Sequence, residues 1–253
     1  MKIAVLIKQV PGAESPLQIS SDQKWVDESA VAYVMNESDN YALEEALQIK
    51  EAHGEGEVVA VSLGPDRVQK TVREALAKGA DRAIHIKMDT VEAIDPLVTA
   101  GHFKNPLEEE NFDLIFTGLQ SDDLGMGQTG VILGEMLGMT TASLVMATEV
   151  SAGNIKVKRE LEAGWFQWVS LSLPASITIQ SGLNTPRYPS LKGIMGAKKK
   201  EIKVIEGEGA DTGQSMVKMY LPQSEKQTIM IEGSADQVVE KLMDSFRNNI
   251  NVL

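Results

Sequence analysis

Gly125-Met126-Gly127-Gln128-Thr129-Gly130 has the spacing G-x-G-x-x-G, in which glycines let backbone amides close on a phosphate. Gln128 and Thr129 fall where a helix over Gln128–Leu137 is expected to begin. Its first amides and the positive end of its dipole then face the loop. A dinucleotide fingerprint requires more: its first glycine directly after the first strand, and an acidic residue roughly 20 positions on that holds a ribose. Here the preceding strand, Asp113–Thr117, reads as the fourth, and seven residues separate Thr117 from Gly125. No suitable βαβ unit follows. The pattern indicates an anion cradle for a single nucleotide rather than an NAD site. The bland alternative is a glycine-rich turn that only caps the helix. Asp122 and Asp123 would repel a phosphate, but they fit if they face ribose hydroxyls or cap backbone amides.

Other chemistry-bearing patterns are sparse. The chain has 253 residues, no cysteine and three histidines. Disulfides and thiolate chemistry are excluded, and the composition fits a reducing cytoplasm. His53, His85 and His102 lack metal-ligand spacing, and His85 reads as a core or rim residue. No Ser-His-Asp order or carboxylate pair argues for catalysis. A net charge of -12 disfavours nucleic acid as a partner and favours a basic protein surface. Lys198, Lys199 and Lys200 form a local basic knot that either steers an acidic partner or pairs with the chain's own carboxylates. No apolar run is long enough to insert in a membrane, and the opening "MKIAVLIKQVPG" reads as a first strand rather than a signal peptide.

The elements that must position the glycine loop alternate strand and helix. Strands are expected at Lys2–Lys8, Val58–Ser62, Arg82–Lys87 and Asp113–Thr117. Helices are expected at Asn40–Glu51, after Pro65-Asp66 as far as Gly79, and around Asp95–His102. This order predicts an α/β fold with a doubly wound, mostly parallel, Rossmann-like sheet. Its ligand edge lies at the carboxyl ends of the strands. After about Thr140, "ASLVMATEVS", "NIKVKRELE" and "WFQWVSLSLP" predict an antiparallel meander, and "ASITIQ" can return to the main sheet. Within the meander, period two puts Trp165 and Trp168 on opposite faces, one packed and one free for a partner. The expected organisation is a nucleotide-binding domain over residues 1–182 and an extended arm over residues 183–253. The arm loses periodicity before a last helix in "SADQVVEKLMDSFRNNI".

Several stretches resemble one family. "LNTPRYPSLKGIMGAKKKEIKVI", "SLGPDRVQKTVREALAKGADRAIHI", "GLQSDDLGMGQTG" and "KRELEAG" are similar to segments of the β (small) subunit of electron transfer flavoprotein. "DTGQSMVKMYLP" and "MIEG" look closest to bacterial AMP-binding members that serve trimethylamine-type dehydrogenases. The resemblance implies a non-catalytic electron-carrier subunit with one structural AMP, paired with an α subunit that carries most of the FAD site. It implies electron donation by a flavin-dependent dehydrogenase and an acceptor such as a membrane quinone oxidoreductase. Carried over by position, AMP would be lined by Leu6, Ile7, Asn36, Leu63 and Gly64, with Asp123, Gly127, Gln128, Thr129 and Gly130 around ribose and phosphate. Leu191 would anchor the dehydrogenase, with Ile194 and Met195 beside it and the 183–253 arm on the α subunit. Glu160 would meet an arginine of the mobile FAD domain.

This chain departs from the family where some members carry a tyrosine near the flavin: Ala13 stands at about that position. Its acidic cluster is shortened to Asp122-Asp123, and Gly127 replaces an asparagine. A bifurcating branch replaces AMP with a second FAD and resembles Gln-Val-Gly-Pro at the helix start. Gln128-Thr129-Gly130-Val131 lacks that Gly-Pro step, which favours AMP. A nucleotide sensor without redox partners is the alternative from another functional class.

Overall fold

The computed structural model describes residues 1–88, 95–207, 213–222 and 228–250. Asp211 and Thr212, within one of the family-like stretches, lie outside the described residues. Eleven strands and six α-helices are seen among the described residues. In chain order they are β1 (Lys2–Leu6), β2 (Gln9–Pro11), β3 (Tyr33–Met35), α1 (Glu37–His53), β4 (Glu57–Gly64), α2 (Gln69–Lys78), β5 (Arg82–Lys87), α3 (Pro96–Glu108), β6 (Leu114–Gly118) and α4 (Thr129–Met136). There follow β7 (Thr140–Ser151), β8 (Asn154–Glu160), β9 (Phe166–Ser172), β10 (Ala175–Ile179), α5 (Leu191–Ala197), β11 (Ile202–Glu206) and α6 (Ala235–Ser245).

The main sheet runs β11-β5-β4-β1-β6-β10-β7-β8-β9, and β2 and β3 form a small sheet of their own. Pairing is parallel from β11 to β7 and antiparallel through β7, β8 and β9. The Rossmann-like α/β expectation therefore holds. The central strands are apolar on both faces because both are covered. Ile3, Val5, Val58, Ala60, Leu114 and Phe116 pack on the α1 and α2 side. Ala4, Leu6, Val59, Val61, Ile84 and Ile115 pack with Phe103 of α3 and Leu133 of α4 on the other.

Local signals behaved as expected with one exception. Asp66, the candidate N-cap of the second helix, instead lies in a short 3-10 turn ahead of α2, whose N-cap is Val68; it is Asp95, at the start of the third expected helix, that caps, accepting the Leu97 N–H at 2.9 Å. Gly79 ends α2 at φ 143°, where a side chain would be strained. "ASIT" became β10, inserted in parallel between β6 and β7.

Two further expectations changed. The region after Ser181, read as an aperiodic arm, contains α5, which packs on α2. It also contains β11, which extends the sheet edge by pairing with β5 from Ile202↔Ala83 to Glu206↔Lys87. In the meander neither tryptophan is packed away. Trp165, just outside β9, is 73% exposed and Trp168 is 44% exposed. Trp168 lies under the Lys156 ammonium, 4.5 Å from the ring centroid.

The chain divides into two compact units, Met1–Lys218, which holds the sheet, and Met219–Leu253. In the second unit α6 starts with a reciprocal capping box between Ser234 and Gln237. None of its residues is buried, and Val239 is 58% exposed.

Candidate functional site

The sheet order changes direction at β1: β4 lies on one side and β6 on the other. A crevice at the carboxyl ends of β1 and β6 follows from that topology. Asp39, in the first turn of α1, closes its floor. Its carboxylate accepts the Lys8 N–H at 2.7 Å and the Gly118 N–H at 2.9 Å, tying together the ends of the two strands. Burial pushes this carboxyl up to about 7, although both amide donors favour its charged form.

The loop from Leu119 to Gln128 is held above that floor. Asn36, buried before α1, donates from Nδ2 to the Gln120 carbonyl at 3.0 Å, and its Oδ1 accepts the Asp122 N–H at 2.9 Å. The Ser38 hydroxyl donates to the same Gln120 carbonyl at 2.8 Å. Asp122 accepts the Glu37 N–H at 3.0 Å and so caps α1. Asp123 accepts the Leu124 N–H at 2.8 Å and pairs with Lys8 Nζ at 2.6 Å. The two carboxylates that looked hostile to a phosphate are engaged within the protein, Asp122 on one backbone amide and Asp123 on a backbone amide and an ammonium.

The mouth of α4 is arranged differently. Gln128 is its N-cap and makes no side-chain capping bond, leaving first-turn amides without a side-chain acceptor. Gly125 and Gly127 turn the chain into this mouth at φ 63° and 64°. Gly130 is needed for close approach. A Cβ there would lie 2.3 Å from Thr117 Oγ1 and 2.9 Å from Thr178 Cγ2. Ser176 Oγ donates to the Gly130 carbonyl at 2.9 Å. Thr117 Oγ1 and Thr178 Oγ1 are buried without a hydrogen-bond partner.

Among the predicted lining residues, Leu6 ends β1 and Ile7 follows it, just before Lys8, and both are buried. Leu63 and Gly64 end β4, next to β1. The Gly64 carbonyl accepts from His85 Nε2 at 2.8 Å. Asn36 and Asp123 are bonded into the same structure as Lys8, and Gly127, Gln128, Thr129 and Gly130 form the α4 entrance. Sequence reasoning missed Asp39, Ser38 and Lys8. Asp39 fell one residue before the expected helix start at Asn40, whereas α1 begins at Glu37 and takes it into its first turn.

A second candidate surface lies on α5. Leu191, Ile194 and Met195 are 83%, 45% and 73% exposed. The segment before them is clamped to α1: Arg187 reaches Glu44 at 2.8 Å and Glu51 at 2.5 Å. Burial pushes Glu44 up, but Arg187 prevails and holds it below the usual carboxylate range. Arg73 of α2 donates to the Ala197 and Lys200 carbonyls at 2.6 and 2.9 Å. Lys200 Nζ donates to the Leu76 and Ala80 carbonyls at 3.0 and 2.5 Å, satisfying the end of α2. Of the basic knot, Lys200 is thus structural, while Lys198 and Lys199 are exposed. Glu160, at the end of β8, accepts from Gln180 Nε2 at 3.1 Å.

A family model described as "Electron transfer flavoprotein domain" matches residues 23–208. The chain belongs to the electron transfer flavoprotein family. An electron transfer flavoprotein subunit beta of Methylophilus methylotrophus is 38% identical over 256 residues, covering 96% of this chain and 97% of that relative. The protein of the same name from Bradyrhizobium diazoefficiens is 36% identical over 257 residues, covering all of both chains. That of Syntrophomonas wolfei is 31% identical over 252 residues, covering 100% of this chain and 98% of that relative. Membership extends over both the crevice and the α5 surface. Among the described residues, no helix is long and apolar enough to cross a membrane, and no group of three or more acidic or histidine side chains is placed to hold a metal.

Proposed function

We propose that this chain is the small subunit of a heterodimeric, cytoplasmic electron transfer flavoprotein, and that it binds AMP as a structural ligand. The observation that carries this reading is the α4 mouth. Its amides lack a capping side chain, while Asp122 and Asp123 are already bonded elsewhere. An anion can therefore approach without meeting a free carboxylate. Leu6, Ile7, Leu63 and Gly64 supply strand-end walls for the nucleoside, and Gly127, Gln128, Thr129 and Gly130 surround its phosphate. Thr129 supplies a hydroxyl for a terminal phosphate.

The redox chemistry belongs to FAD, held mainly by the α subunit. This chain's residues support that subunit, with Glu160 facing the flavin-bearing domain and the 183–253 region contributing to the contact. Leu191, Ile194 and Met195 form an apolar anchor for a flavin-dependent dehydrogenase. A membrane quinone oxidoreductase is an acceptor of the kind such a carrier serves.

The test is mass spectrometry of nucleotides released from this chain after coexpression with an α subunit. One AMP and one FAD per heterodimer are expected. Two FAD molecules would replace the AMP reading with the bifurcating one. Nucleotide without flavin would favour a sensor, and no nucleotide would overturn the assignment of the crevice.

A further inference from the structure

Lys8 occupies a place that nothing in the family assignment requires. Its backbone N–H is fixed on buried Asp39. Its side chain crosses from the end of β1 to the glycine loop, where Nζ donates to Asp123 Oδ1 at 2.6 Å and Ser121 Oγ at 3.2 Å. The loop is compact: the Gly125 N–H bonds the Ser121 carbonyl at 2.8 Å, and Gly127 lies against Leu119 and Gln120. Lys8 Nζ thus binds the Ser121–Asp123 end of the loop whose other end leads into the α4 mouth.

We propose that Lys8 is a phosphate-reading residue, shared between Asp123 in the free chain and the phosphate of a bound nucleotide. The inference rests on the nucleotide reading above and specifies how the site distinguishes a nucleotide from its nucleoside. A chain of net charge -12 repels a dianion, so a local cation must offset that field. Arg67 is already engaged, donating to Gln9 Oε1 at 2.6 Å, pairing with Glu28 at 3.2 Å and stacking on Tyr33. The Lys8 side chain is 36% exposed, and an ion pair at that exposure is weak enough to be shared at little cost. A lysine ammonium on a flexible stem can keep one oxygen partner and add another, because it carries three donors.

The experiment titrates AMP and adenosine into the nucleotide-stripped full chain by calorimetry at low and high salt. Wild type is compared with Lys8→Met, Lys8→Arg and Asp123→Asn. Wild type should prefer AMP to adenosine. Lys8→Met should cut that preference on the order of tenfold, the scale of one charge-assisted hydrogen bond. It should also flatten the salt dependence of AMP binding and leave adenosine affinity nearly unchanged. Lys8→Arg should retain most of the preference. Asp123→Asn releases the ammonium and should raise it, so the proposal stays testable even if Lys8→Met does not fold. An unchanged AMP-to-adenosine ratio in Lys8→Met, or a reduced ratio in Asp123→Asn, overturns the role of Lys8. A wild type that binds neither compound overturns the nucleotide reading itself, and this inference with it.

Discussion

Gly130→Ala tests how the crevice is built. The new Cβ would lie 2.3 Å from Thr117 Oγ1 and 2.9 Å from Thr178 Cγ2. These threonines are register partners on adjacent parallel strands, β-branched and buried, so neither has room to swing aside. Restoring an ordinary contact of about 3.4 Å lifts the first turn of α4 by roughly 1 Å. Overpacking of this kind costs about 1–3 kcal/mol. For a chain of this size that is a fall in Tm of roughly 2–12 °C. The same lift stretches a hydrogen bond of about 2.9 Å from the α4 amides beyond useful length, so AMP affinity should fall tenfold or more. Gly134→Ala is the control. Its Cβ would meet Thr141 Cγ2 at 2.5 Å and Ser176 Cβ at 2.7 Å, one turn beyond the mouth. Thermal unfolding should show a comparable loss for both variants, while nucleotide content after purification should drop mainly in Gly130→Ala. Wild-type Tm and full nucleotide in Gly130→Ala would refute the close-packing account. Equal nucleotide loss in both variants would refute the special place given to the α4 mouth.

Two further outcomes follow from the same contacts. Asp39 has a raised pKa, so its contribution to stability is present below the ordinary aspartate range and is lost as pH rises toward about 7. Carboxyl-carbon NMR should show it titrating near neutrality, and a midpoint in the usual aspartate range would contradict the burial of Asp39. Leu191→Ala removes an exposed side chain and should leave stability within about 0.5 kcal/mol of wild type, while electron receipt from the proposed dehydrogenase partner falls severalfold in a stopped-flow assay. Unchanged transfer would remove α5 from the docking surface.

The residues of the glycine loop were legible before any coordinates, but their neighbours were not. Local pattern determined where strands and helices lie, because period, caps and breakers act over a few residues. Arg82–Lys87 was placed to the residue and Gly79 marked a real helix end, whereas Asp66, the candidate N-cap, fell in a 3-10 turn ahead of α2. The fate of the two loop carboxylates was left open by sequence. It was decided by Lys8, 115 positions from Asp123, and by the start of α1, 85 positions from Asp122.

The sequence by itself determined the alternating α/β order, the doubly covered strands, the meander and the family. These depend on hydrophobic period and on motifs contained in short windows. Only the tertiary structure decided that Asp39 joins two strand ends, that Lys200 closes α2, that β11 extends the sheet and that both meander tryptophans face outward. Each depends on which surfaces meet after the chain has crossed the sheet, and a residue's burial and hydrogen-bond partner are properties of that meeting rather than of its neighbours in sequence.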